Sequence, residues 1–462
     1  MQNPPSLPVS ASKLRSSFAT RERVEHVLRW LFGAALLMHL LFPFYDSPLN
    51  HLFSDPGRHW ENGLYFLHPN IMGSGDPYLY QLWAWLLQQA AVRDQAVILT
   101  GAGLLCAMVP YGWYRALKEL LPRAWALGGA LAIALVPGFI SIYAYFMNET
   151  LLLALTGFAF WATFRAQRKR TVRAFALACA LWLACGFTRS VALPMALLCL
   201  LSLWLPQRRK LAKAVMGVAL LLLLAIPAGL HGKVSLGYFA PFGNLYLNEV
   251  YSRSGAKNIG LDFGPKGHYQ FGSPSFYNPS FYPFSDWLTA RDGTAQVTID
   301  LSQGRRDWIA ERERMQAERT FPRWQEVWEN FLYLSFAEAW PDNDLRSVTG
   351  FLTVWTRWLW LPLILLVAWG AARNRFRGRE WLLPACALGM FVYLAVQRES
   401  VMEGRFRKPL DPVFVAAAVV MLYRRPRRLK PMPVPPVSYV PAPLPMVPPP
   451  EAAPGALPEA AA

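Results

Sequence analysis

The sequence predicts an all-α polytopic membrane protein, and three observations carry that expectation. Apolar runs near 20 residues recur along the chain, as at 124–146 and 211–230, the length that crosses a hydrocarbon core of roughly 30 Å as a helix. Only 16% of the 462 residues are charged, against about 25% in soluble domains. The Lys and Arg residues that give the net charge of +17 gather at the ends of apolar runs, where they set topology. No nucleic-acid-reading motif accompanies them. A β-barrel would instead alternate over segments of about ten residues.

About ten spans are expected, near 26–44, 95–117, 124–146, 150–165, 172–187, 190–205, 211–230, 349–372, 380–397 and 409–423. Pro137, Pro194 and Pro362 fall inside three of them, where kinks or half-helices are expected. The segment 1–25 is polar and basic and has no small-residue cleavage site soon after it, so the first span reads as uncleaved. With ten spans, the clusters at Arg115/Lys118/Arg123, Arg165–Arg173, Arg208–Lys213, Arg373–Arg379 and Arg424–Lys430 all fall on one side with the N-terminus. The positive-inside rule makes that side cytoplasmic, places both termini there, and makes this a multi-pass protein of the cell (inner or plasma) membrane.

The other side then receives a first loop, 45–94, within a transmembrane core of 26–230. It also receives a larger α+β loop domain, 231–348, ahead of the C-terminal spans at 349–425. In that large loop, 294–301 alternates like a strand and 305–340 reads as amphipathic helices broken near Pro322, with tryptophans suited to the bilayer surface. A tandem repeat, PSFYN then PSFYP, fills 274–283. The tail 426–462, rich in Pro and Ala, is expected to be a disordered cytoplasmic extension. All five cysteines lie in apolar runs, so they read as packing residues and not as a disulfide framework.

The first loop is dense in acids and imidazoles: Asp46, Asp55, Glu61 and Asp76, with His51, His59 and His68. In SDPGRHW, Asp55 caps a helix whose first position is Pro56, or it serves as a general base beside the membrane, with Arg58 and His59 within a turn. His51, Asp55 and His59 are spaced by four, as metal ligands on a helix would be, but Pro56 interrupts the helix this needs. Asn148–Glu149 stands in a tight apolar turn, either as an N-terminal acid against the helix dipole or as a second acid of the same pocket. Arg189, Arg405 and Arg407 lie on the side where cations have a topological cost. They call for anionic partners: Glu399 and Glu403, lipid headgroups, or a bound phosphate.

These motifs resemble the C-type fold of membrane glycosyltransferases (GT-C), especially bacterial relatives of the dolichyl-phosphate-mannose protein mannosyltransferases. FSDPGRHW, FMNETLL, GFTRS and EGRFRKPLDP stand in the family's order, to about residue 425. The resemblance implies inverting transfer of a sugar from a polyprenyl-phosphate donor to a glycan, lipid or protein acceptor, with no cofactor and no indicated divalent cation. It implies Asp55 and Glu149 as catalytic acids, Asp55 being the general base, with Arg189, Arg405 and Arg407 on the lipid phosphate. The family often has Asp-Glu or Glu-x-Asp where this chain has Ser-Asp-Pro, so Asp46 and Asp76 stand as alternatives to Asp55. Rival classes are a lipid-linked oligosaccharide flippase, an O-antigen polymerase-like enzyme, and a scaffold that recruits partners through its proline-rich tail. A flippase predicts repeats and mid-span charges, and the sequence shows neither.

Overall fold

The computed structural model of the protein describes residues 11–52, 54–69, 76–91, 94–136, 140–205, 210–242, 258–263, 269–271, 295–300, 323–336, 357–396 and 407–424. The expected tail, the tandem repeat, residues 305–322 and Arg405 lie outside these. The fold is mostly helical. Its helices are α1 (Ala11–Tyr45), α2 (Ser54–Leu64), α3 (Tyr78–Ala91), α4 (Gln95–Lys118), α5 (Arg123–Ala134), α6 (Asn148–Lys169), α7 (Val172–Thr188), α8 (Leu193–Trp204) and α9 (Lys210–Leu236). After three short strands follow α10 (Arg323–Phe336), α11 (Trp360–Ala372), α12 (Leu382–Ala395) and α13 (Asp411–Tyr423). The strands β1 (Asn258–Phe263), β2 (Tyr269–Phe271) and β3 (Ala295–Asp300) form an antiparallel sheet in the order β2-β1-β3, with Asp262 opposite both Gln270 and Gln296.

Among the described residues, three helical segments are long and apolar enough to cross a membrane: Glu22–Asn50, Gln95–Lys118 and Lys210–Val234. The other apolar helices are shorter. Twelve residues of α5 or α8 rise only about 18 Å.

The expected single span over 124–146 is corrected. It stops as α5 at Ala134, and a separate 3-10 turn follows at Ser141–Ala144. Pro137 lies three residues beyond the break, and proline lacks the N–H that a continuing helix needs. A helix that ends inside an apolar bundle leaves carbonyls that water cannot satisfy. The imidazole of His39 on α1 fills this role: its Nε2–H donates to the Ala134 carbonyl at 2.9 Å, and its ring lies against Tyr143.

Small residues set the helix crossings. A Cβ on Gly103 of α4 would stand 2.0 Å from the Leu40 carbonyl oxygen of α1, and one on Gly157 of α6 would stand 2.8 Å from the α4 backbone at Gly112 and Trp113. Close backbone approach of this kind replaces the hydrophobic drive that lipid cannot supply. Around these crossings Trp113, Phe160, Phe164 and Trp182 are fully buried, with Trp182 donating to Thr163 Oγ1 at 2.9 Å.

Charges collect at the two ends of the bundle. At one end, Glu25 of α1 pairs with Arg123 of α5 (3.2 Å) and Glu119, after α4, with Arg168 of α6 (3.2 Å). Arg379, ahead of α12, donates to the Glu119 and Phe164 carbonyls, and Glu380 pairs with Arg424 after α13. Four of the basic connections anticipated from the sequence therefore meet at one end. The opposite end carries α2, α3 and the starts of α6 and α13.

Substituting Gly103→Ala is expected to cost roughly 1–3 kcal/mol, because overpacking forces the backbones apart. Gly128→Ala, with nothing within 4 Å of the added methyl, serves as the control. Thermal unfolding in detergent checks this: a lower midpoint for G103A alone is expected, and equal midpoints would refute the crossing argument.

Candidate functional site

Two polar clusters lie side by side at the end of the bundle away from the basic connections. The first is built on α2 and α3. Asp55 sits in the first turn of α2, where a carboxylate suits the helix dipole. A turn later Arg58 bridges two carboxylates: Nη1 lies 2.8 Å from Asp55 Oδ1, and Nη2 lies 3.1 Å from Asp76 Oδ1. The next residue, His59, places Nδ1 3.1 Å from Asp76 Oδ2, and the Asn62 amide donates to the same oxygen at 2.5 Å. Gln81 of α3 donates to the Asp76 backbone carbonyl (2.9 Å) and Gln88 to that of Trp60 (2.8 Å). Gly63 lets the two helices touch, since a Cβ there would come within 2.8 Å of Ala84.

Asp76 is thus the buried centre that joins α3 to α2. Burial raises its carboxyl, but the neighbouring His59 and Arg58 and the Asn62 amide outweigh burial and hold it at about 2, below the ordinary 3.8.

The second cluster sits on the helix starts beside it. Glu149, in the first turn of α6, is buried and ion-pairs with Arg189, the residue that ends α7. Arg189 Nη1 also faces Asn148 Oδ1 at 3.4 Å. Immediately before this helix, Phe146 stacks on Trp60 of α2 (4.2 Å between ring centroids) and Tyr145 lies 4.8 Å from the ring of His51. His51 Nε2 in turn bonds Asp46 Oδ1 at 2.8 Å. These two aromatic contacts join the clusters.

Of the residues singled out in the sequence, the structure groups Asp55, Arg58, His59 and Asp76 in one network. It pairs Glu149 with Arg189, and pairs Asp46 with His51, whose ring lies against Tyr145. His51, Asp55 and His59 take separate partners, because His51 precedes the start of α2. Arg407, expected on the lipid phosphate, has partners within the protein. Its guanidinium is buried inside the fold: Nε donates to Asp411 Oδ1 (2.9 Å), Nη1 donates to the Leu334 and Ser335 carbonyls, and the charge lies 4.7 Å over Trp360. A group so fully engaged holds the start of α13 to α10.

Sequence reasoning missed Asn62, Gln81 and the Trp60–Phe146 stack. Asn62 and His59 share a helix face, three residues apart, and that spacing was the available signal. A scan against protein-family models and a search of curated proteins both find no match.

Two outcomes are expected. Because the folded Asp76 carboxyl lies below 3.8, its contribution, about 2 kcal/mol, is complete above about pH 4 and is lost as pH falls toward about 2. Asp76→Asn should remove that acid-dependent step and raise amide hydrogen exchange in α2 and α3. Glu149→Gln leaves the Arg189 charge without its buried partner and should cost roughly 3–5 kcal/mol, read by thermal unfolding. The double variant Glu149→Gln/Arg189→Gln should recover part of that loss.

Proposed function

We propose that the chain is an integral membrane glycosyltransferase. It moves a sugar from a polyprenyl-phosphate donor to a hydroxyl acceptor (an envelope glycan, lipid or protein) at the extracytoplasmic face, with inversion at the anomeric carbon. In the same reading, all ten apolar segments belong to a GT-C-like bundle in the cell membrane, both termini are cytoplasmic, and 231–348 forms an α+β loop domain.

One observation carries the reading. A buried carboxylate–guanidinium pair, Glu149–Arg189, stands at helix ends beside a first loop rich in carboxylates and imidazoles, at the end opposite the basic connections. At the headgroup level such a place receives a lipid-linked phosphate while the prenyl tail stays in the bilayer. In the transfer, the acceptor oxygen bonds to the anomeric carbon as the bond to the phosphate oxygen breaks. The electron pair leaves on the phosphate, and the acceptor proton passes to a base. Glu149 holds the Arg189 guanidinium in one orientation, and a fixed cation stabilises the charge developing on the leaving phosphate. Arg405, by its sequence position, is the second cation. The sequence puts Asp55 forward as the base. No step calls for a nucleotide.

The test is direct. The purified chain in nanodiscs, given polyprenyl-phosphate sugar and an acceptor glycan, should release polyprenyl phosphate. Arg189→Ala should lower kcat by roughly 100-fold, the scale of one lost oxyanion-type donor. Full turnover in that variant would remove Arg189 from the site. A wild-type chain that consumes no lipid-linked donor, and moves it across the bilayer intact, would favour a flippase.

A further inference from the structure

The first loop holds two imidazole–carboxylate pairs of opposite character. In the His59–Asp76 pair both side chains are 3% exposed, sealed among Arg58, Asn62 and Tyr80. In the His51–Asp46 pair the side chains are 29% and 28% exposed, at a distance of 2.8 Å. The sealed pair joins two helices. The open pair is partly exposed and lies against Tyr145, just ahead of the helix that carries Glu149.

Local structure fixes the open pair. Asp46 directly follows α1, with its N–H bonded to the Phe42 carbonyl at 2.9 Å. Ser47 caps a 3-10 turn at Pro48–Asn50, its hydroxyl accepting from the Leu49 N–H at 3.3 Å, and His51 closes the turn onto the Pro48 carbonyl. This turn folds His51 back over Asp46. Tyr145, four residues ahead of Glu149, supports the ring from the other side. With Nε2–H donating to the Asp46 carboxylate, the Nδ1 lone pair is the proton-accepting atom.

From this arrangement we infer that His51 is the general base of the transfer proposed above, with Asp46 as its positioning residue. The inference rests on that reading of the function and gives its base a different identity from Asp55. The acceptor hydroxyl gives its proton to His51 Nδ1 as its oxygen bonds to the anomeric carbon. The resulting imidazolium is stabilised by Asp46, and the phosphate departs with the electron pair toward Arg189. Asp55 and Asp76 suit this step less well. Asp55 is held by the Arg58 guanidinium at 2.8 Å. Asp76 is buried with its carboxyl held at about 2, and so weak a base accepts little of a hydroxyl proton near neutral pH.

The nanodisc assay with polyprenyl-phosphate sugar and an acceptor glycan tests the assignment. His51→Ala should lower kcat by about 100-fold or more with little change in KM for the donor. Exogenous imidazole should restore part of the rate in His51→Ala but not in Arg189→Ala. Asp46→Asn should cost about tenfold, and the double variant should be no slower than His51→Ala, as expected of groups that act as a unit. Wild-type rates in His51→Ala overturn the assignment while leaving the glycosyltransferase reading in place. So does an imidazole-insensitive loss, or a loss confined to Asp55→Asn. A wild-type chain that never consumes the donor overturns both.

Discussion

Charge in an apolar helix bundle must be paired, placed at a helix end, or both, and this requirement organises the whole chain. Removing an ion from water costs several kcal/mol even after relaxation. Many of the described ion pairs lie at helix ends or in connections: Glu119 with Arg168, Glu380 with Arg424, Glu149 with Arg189, and Arg407 with Asp411, while Glu25 of α1 pairs with Arg29 and with Arg123 at the start of α5. Between the ends, packing takes over. Gly103, Gly112 and Gly157 bring backbones into contact, and hydroxyls such as Thr156 and Thr163 bond within their own helix. Deeper in α1, His39 donates to a helix end that would otherwise be bare.

The two ends differ in kind. At the basic end, the pairs are mainly guanidinium to carboxylate or to backbone carbonyl, a geometry for fastening connections. At the other end, carboxylates, imidazoles, side-chain amides and the arginines Arg58 and Arg189 surround the junction of α2 with the start of α6, and exposure varies from sealed to open within a few residues. Asp76 and Glu149 are buried and paired, whereas Asp46 and His51 are partly exposed at a capped turn.

The periodic and compositional features were legible in the sequence. Basic connections mark helix ends because cations are excluded from the apolar middle, so four of the clusters could be placed together in advance. The alternating stretch 294–301 contains β3, and α10 begins directly after Pro322, since both signals are local. Pro137 signalled trouble in the span 124–146, but the partner that makes the break tolerable, His39, lies 95 residues away. The site was legible as an inventory and less so as an arrangement. Asp76 and Arg58 are 18 residues apart in different elements, and the five-residue spacing of Asp46 and His51 belongs to no helix or strand period. The Leu334 and Ser335 partners of Arg407 act through backbone carbonyls, which no side-chain pattern reveals.

The Arg407 clasp has a mechanical consequence. It ties the C-terminal turn of α10 to the first turn of α13, while Asn330 of the same helix donates to the Ala395 carbonyl at the end of α12. Three helices distant in sequence are therefore riveted at one corner. A ligand wedged between α10 and α13 would have to break a charged triad of bonds before gaining any contact. Those contacts make α10 move with the body of the protein as a fixed wall at this corner.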